Sequence, residues 1–164
     1  MFVFNFKAKP SKKLFVIFSV MSIVTAVVCV YCMVSMQNAM LGTATCDEIG
    51  EYSVSAQNAG EELDFLSRFS IEADGVSRIE KAIVIPQSFN ETYEEYNNLQ
   101  KRQGLDLSRY KGKDASMVKY SLKDSKYRYA LLLVRDGRVI GAHLTNGEYG
   151  SKNVPLTEED GQTR

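Results

Sequence analysis

No charged residue occurs between Lys13 and Asp47, and the first part of that interval, Leu14 to Met36, is almost continuously apolar behind four lysines. A helix of that length rises about 35 Å, enough to cross a hydrocarbon core of about 30 Å. The lipid bilayer is therefore the expected partner of Leu14 to Met36. Lys7, Lys9, Lys12 and Lys13 precede the apolar run, and Asp47, Glu48 and Glu51 follow it. The lysine excess places the short N-terminus in the cytoplasm and the C-terminal part outside the cell, as a single-pass protein of the cell membrane. A cleaved secretory signal normally has a shorter apolar region. Gly42-Thr43-Ala44 makes a weak cleavage site, but it lies well beyond Met36, so the segment is expected to stay as an anchor.

The chain then divides into a cytoplasmic tail (1–13), a transmembrane helix (14–36), a stalk (37–57), an extracytoplasmic domain (58–145) and a flexible tail (146–164). Zero net charge conceals this division. All the acids lie beyond Cys46, and the part beyond Cys46 is mildly acidic. Within it, Asp47 to Gln100 is acid-rich and Lys101 to Arg138 is base-rich. A basic surface outside a cell meets anionic lipid or wall polymer rather than nucleic acid. Lys111, Lys113, Lys119, Lys123, Lys126 and Arg128 are the candidates for such a surface. Acidic helices facing basic strands across one fold is the structural alternative.

Cys29 and Cys32 fall inside the apolar run, so their C-x-x-C spacing lacks the accessible, thiolate-stabilising setting of a redox pair. Cys46 alone lies outside, which leaves it no internal disulfide partner and makes it the candidate for a bridge between two chains.

Asn58 and Glu61 have capping-box spacing ahead of Leu63, Leu66 and Phe69, which predicts a short helix. Arg78 to Ile85 reads as a strand ended by Pro86. A second capping box, Ser88 to Glu91, precedes Phe89, Tyr93, Tyr96 and Leu99 at helical steps, with Gly104 as the stop. Met117–Leu122, Tyr127–Arg135 and Arg138–Leu144 are three further strands, and Asp136-Gly137 is a two-residue hairpin turn. Gly141 marks a bulge or close packing of the second helix. The expected fold class is α+β: a two-layer domain of two helices on a mainly antiparallel sheet of about four strands, in the order α-β-α-β-β-β.

Catalytic signals are sparse. His143 is the sole histidine, no serine sits in a Gly-x-Ser-x-Gly elbow, and neither Asp74-Gly75 nor Asp136-Gly137 has the ligands of a calcium loop. No catalytic residue, metal or cofactor is expected. Tyr93, Tyr96, Tyr110, Tyr120, Tyr127 and Tyr129 read as core and margin aromatics, with a partner-binding groove beside them as the functional alternative.

The run from Ile85 through Pro86-Gln-Ser-Phe-Asn-Glu-Thr-Tyr-Glu-Glu-Tyr-Asn-Asn-Leu to Lys113, closing with Gly137-Arg-Val-Ile-Gly141, resembles a family of domains of unknown function. Its members are membrane-anchored proteins of Gram-positive, clostridia-like bacteria, and the likeness covers about Asn58 to Leu144. The resemblance implies a bacterial envelope location and supplies no activity. The sequence therefore points to a non-catalytic interaction or sensory module with an unknown envelope or membrane protein as partner. Binding of anionic lipid or wall polymer is the alternative, and a hydrolase using His143 is the remote one.

Overall fold

A computed structural model describes residues 12–40, 42–148 and 150–158. Nearly all of the expected tail 1–13 and residues 159–164 of the expected C-terminal tail lie outside the described residues. Two compact units are present, one up to Leu41 and one from Gly42 onward.

The first contains α1 (Lys12–Met40). Its stretch Val16–Met33 has a mean hydropathy of 2.4 and every side chain exposed, so it is long and apolar enough to cross a membrane. Thr25 donates its hydroxyl to the Met21 carbonyl one turn back (2.8 Å), satisfying its polar group within the helix.

The second unit contains β1 (Thr43–Cys46), β2 (Gly50–Ser53), α2 (Ala59–Ser67), β3 (Ala73–Val84), α3 (Glu91–Arg102), β4 (Asp114–Leu122), β5 (Tyr129–Arg135) and β6 (Arg138–Thr145). The strands β3-β4-β5-β6 form an antiparallel sheet in sequence order, and β1-β2 a separate antiparallel hairpin. This is the expected α+β class, with the expected order of elements from α2 onward. Asp136 (φ 50°) and Gly137 (φ 70°) both adopt positive φ, as the type I′ hairpin between β5 and β6 requires.

Leu132 and Leu133 are neighbours on β5 and so point to opposite faces. Leu132 joins the larger cluster, with Phe65, Leu66 and Phe69 of and after α2, Val118, Tyr120 and Leu144. Leu133 joins a smaller one with Ile85, Leu107 and Ile140, against which Tyr93 and Tyr96 of α3 pack. The helices thus divide between the two faces instead of sharing a single layer.

Helix ends follow from local chemistry. Asn58 accepts from the Glu61 amide (3.1 Å), while Glu61 accepts from the Gln57 amide (2.9 Å), close to the expected capping box. At α3 the cap is Asn90, accepting from the Tyr93 amide (2.9 Å), not the expected Ser88. Where a glycine would usually follow α2, Ser70 takes the left-handed conformation (φ 59°).

β3 starts five residues earlier than expected, at Ala73, and two boundaries of the domain itself also differ from the sequence reading. Residues 43–56, expected in the stalk, belong to the domain: Cys46, Tyr52, Val54 and Ala56 are all core residues. Tyr52, Val54 and Ala56 alternate at strand period, the signal that identifies them as half-buried. Within the expected flexible tail, Val154 pairs with Leu144, and Leu156 is fully buried in a short 3₁₀ turn, Leu156–Glu158. One fully buried leucine stabilises by roughly 1.5–3 kcal/mol, enough to hold a short segment down.

Candidate functional site

A groove of about 660 Å³ lies between α3 and residues 152–158. Tyr93, Tyr96 and Leu99, at steps of three along α3, form one wall, and Val154 and Pro155 form the other. Glu95, Arg102, Lys152 and Glu158 stand at its margin. Apolar walls, one of them partly aromatic, with a few charged groups alongside suit a ligand with an apolar body.

The wall is built from an aromatic series that runs from the helix start to the sheet. Phe89 and Tyr93 rings lie 4.8 Å apart, Tyr93 and Tyr96 meet edge to face at 5.7 Å, and Tyr96 meets the His143 ring edge to face at 5.3 Å. The Tyr96 hydroxyl and His143 Nδ1 are hydrogen-bonded at 2.8 Å. Burial pushes the His143 pKa down to about 4, so the ring is neutral at pH 7. In the Nε2–H tautomer Nδ1 accepts the tyrosine proton. Burial, with the neighbouring Tyr93, holds the Tyr96 hydroxyl well above the usual tyrosine range.

What keeps α3 at this angle is a row of buried polar side chains that sequence reasoning missed. Asn97 donates to Asp106 (3.1 Å) and accepts from the Leu107 amide (2.8 Å). Gln100 accepts from the Ala142 amide (2.7 Å), and Gln103 donates to the Ala142 carbonyl (3.0 Å) while accepting from the Leu156 amide (2.8 Å). One glutamine pair therefore binds the outer edge of β6 and the C-terminal segment together. Their spacing of three, parallel to Tyr93-Tyr96-Leu99, is the only signal the sequence offers. Gly141 matters here, since a Cβ would lie 3.2 Å from both Leu107 and Leu133.

The six basic candidates do not converge. Lys111 and Lys113 precede β4, Lys119 lies within it, and Lys123, Lys126 and Arg128 follow it. β4 extends roughly 26–30 Å at ~3.3 Å per residue, which separates the two groups. Four are held over rings: Lys111 over Phe89 (4.3 Å), Lys113 over Tyr110 (5.8 Å), Lys119 over Tyr129 (4.5 Å) and Lys126 over Tyr127 (5.4 Å). Arg128 approaches Glu148 at 3.8 Å, between two exposed side chains.

Cys46 is 2% exposed, and its thiol donates to Glu48 (2.6 Å). Burial and the Glu48 carboxylate both push its pKa up, which disfavours the thiolate. The bridge between chains considered from sequence would require β1 to open. Among the described residues, no three His, Cys, Asp or Glu side chains cluster as metal ligands.

Residues 65–144 match a domain of unknown function, DUF4830. The DUF4830 segment runs from Phe65 in α2 to Leu144 in β6, so it holds α3 and the four-stranded sheet except Thr145, but not the β1-β2 hairpin or the strand-like segment at Val154. Neither a curated protein nor a solved structure matches the chain.

Proposed function

We propose that this chain is a bacterial envelope protein, held by α1 as a single-pass anchor with its N-terminus in the cytoplasm, and that the domain from Gly42 onward is a non-catalytic interaction or sensory module. The groove between α3 and residues 152–158 is its binding surface. The observation that carries this reading is the open wall of Tyr93, Tyr96 and Leu99, backed by side chains hydrogen-bonded to β6. The partner is an envelope or membrane protein that offers an apolar segment.

The test is a photo-crosslinking amino acid placed at Thr92, on the groove margin, in the membrane-embedded chain. The expected result is a discrete adduct that persists at moderate salt and is missing when the same group replaces Arg68, an exposed residue beside α2. Loss of the adduct as salt rises would favour the second reading, anionic lipid or wall polymer held by Lys111, Lys113 and their neighbours, because exposed charges are screened within ~8–10 Å. The second reading draws support from the lysines fixed over aromatic rings. No adduct at Thr92 in any condition would sink the groove. For the remote hydrolase reading, His143 would have to exchange its buried bond with Tyr96 for a nucleophile.

A further inference from the structure

The chain enters its folded unit at one particular end of the sheet. The Val54 amide donates to the Gly42 carbonyl (2.9 Å), the Val139 amide to Val54 (2.8 Å) and the Ala56 amide to Gly137 (2.8 Å), which seats Gly42 near the turn between β5 and β6. β3 finishes at this same end, where Val84 pairs with Asp114, and Arg135 donates to the Asp114 carbonyl. The start of β3, the β4-β5 loop and the exit of β6 make the opposite end.

The tether into this end is short. α1 runs on from Met33, where its apolar stretch closes, to Met40, and Leu41 alone stands between Met40 and Gly42. Helical rise and two extended steps leave Gly42 within about 20 Å of the hydrocarbon edge. Headgroups take up about 5–7 Å of that distance. The opposite end lies a β4 length further along the strands, roughly 26–30 Å at ~3.3 Å per residue.

The two ends differ in charge. The loops near Gly42 hold Lys111, Lys113, Arg135 and Arg138 against Asp114 and Asp136, and adding Glu61, whose carboxylate binds Ser55 and Gln57, still leaves the bases in excess. The far loops hold Glu72, Asp74, Asp124 and Glu148 against Lys123, Lys126 and Arg128, an excess of acid. Lys111 and Lys113 lie over the Phe89 and Tyr110 rings, and among the described residues neither takes part in an ion pair. Val84 beside them is 61% exposed. Cations over rings next to an apolar side chain suit the membrane interface, where amphipathic side chains settle.

We propose that this end of the domain rests on the anionic headgroups of the bilayer that α1 crosses, with Lys111 and Lys113 as its contacts and the acidic far end directed away. The tether keeps these lysines at a high effective concentration of headgroups, an advantage that a free wall polymer lacks. Their attraction falls off within ~8–10 Å, so the far lysines do not share in it. The proposal rests on α1 as the anchor and uses neither the groove nor its ligand.

The test uses the full chain in nanodiscs, with Cys29 and Cys32 replaced by serine and Cys46 left in its buried place. A fluorophore is carried by Gln87→Cys, whose side chain lies against Gly112 between the two lysines, or by Val76→Cys at the far end, and a headgroup nitroxide lipid quenches it. The Gln87 probe is expected to be quenched at least threefold more in discs with about 30% phosphatidylglycerol than in phosphatidylcholine alone, and the Val76 probe equally little in both. Lys111→Glu with Lys113→Glu removes the difference, whereas Lys123→Glu with Lys126→Glu, the same change of charge, keeps it. Equal quenching of the Gln87 probe in both lipids, a Val76 probe quenched as strongly, or one response to both charge pairs would each overturn the proposal. Soluble polyphosphate bound through Lys111 and Lys113, with the Gln87 probe indifferent to lipid, would give the surface to wall polymer instead. A chain recovered free of the discs would overturn the anchor, and this proposal with it.

Discussion

The Glu62 carboxylate, 2% exposed, survives burial because three hydrogen bonds meet it: Arg78 Nε and Nη2 reach its two oxygens at 2.8 and 2.9 Å, and the Tyr120 hydroxyl donates to it. Burial alone would raise its pKa, but Arg78 and Tyr120 outweigh that and hold it below the ordinary glutamate range. This joins α2, β3 and β4 at one point. Glu62→Ala leaves the Tyr120 hydroxyl buried without its acceptor, while Arg78, partly exposed, keeps its ion pair with Glu80 (2.9 Å), and is expected to cost about 1–3 kcal/mol by denaturant unfolding. Glu62→Ala combined with Tyr120→Phe should cost clearly less than the sum of the two single changes. His143 acts in another pH window. Its folded pKa, about 4, lies below the ~6.5 of an unfolded histidine, so between those values the unfolded chain binds the extra proton. Stability therefore rises with pH across that window and falls on acidification. From pH 7 to pH 5 the loss is about 2 kcal/mol, and His143→Gln, which keeps a polar partner for Tyr96, is expected to flatten that slope.

At the level of elements, α3 illustrates what was legible and what was not. Phe89, Tyr93, Tyr96 and Leu99 announce one face by their spacing, and Gly104 announces the end, where φ is +78° and a Cβ would strike the Thr45 carbonyl. Asn97, Gln100 and Gln103 carry no comparable signal, because amides usually face solvent, yet all three are fully buried. Their partners are mostly main-chain groups, on β6, on the loop after α3 and at Leu156, and amino-acid identities do not reveal where those groups fall. The hairpin β1-β2 was hidden differently: its small polar residues resemble a linker, and only the alternation Tyr52-Val54-Ala56 marks a buried side. Gln103→Ala removes partners from the Ala142 carbonyl and the Leu156 amide at once. Each buried group left unpaired costs roughly 1–3 kcal/mol. Hydrogen exchange at Leu144, Val154 and Leu156 is expected to accelerate together, while amides of β4 keep their protection. Equal acceleration throughout the sheet would mean that the glutamine stabilises the whole domain rather than its C-terminal seam.

For the whole molecule, the consequence concerns where the cooperative unit begins and ends. The two segments flanking the DUF4830 match close β6 from opposite ends, with Val54 and Ala56 bonded near the β5-β6 turn and Val154 bonded at Leu144. Tyr52, Val54 and Leu156 from those segments are 4%, 5% and 0% exposed in the main cluster. At roughly 1.5–3 kcal/mol for each large apolar side chain buried, the three together contribute about 5–9 kcal/mol. That approaches the entire 5–15 kcal/mol by which a domain of this size is usually stable. A fragment spanning 58–145 also exposes the outer edge of β6 as a second unpaired strand. It is therefore expected to lack a cooperative thermal transition and to self-associate, whereas a fragment spanning 42–158 melts in one step. Near-ultraviolet circular dichroism of the tyrosines on heating, with light scattering on the same samples, separates the outcomes. A cooperative, non-scattering transition in 58–145 would mean that the hairpin and the C-terminal segment are attachments to a domain stable without them.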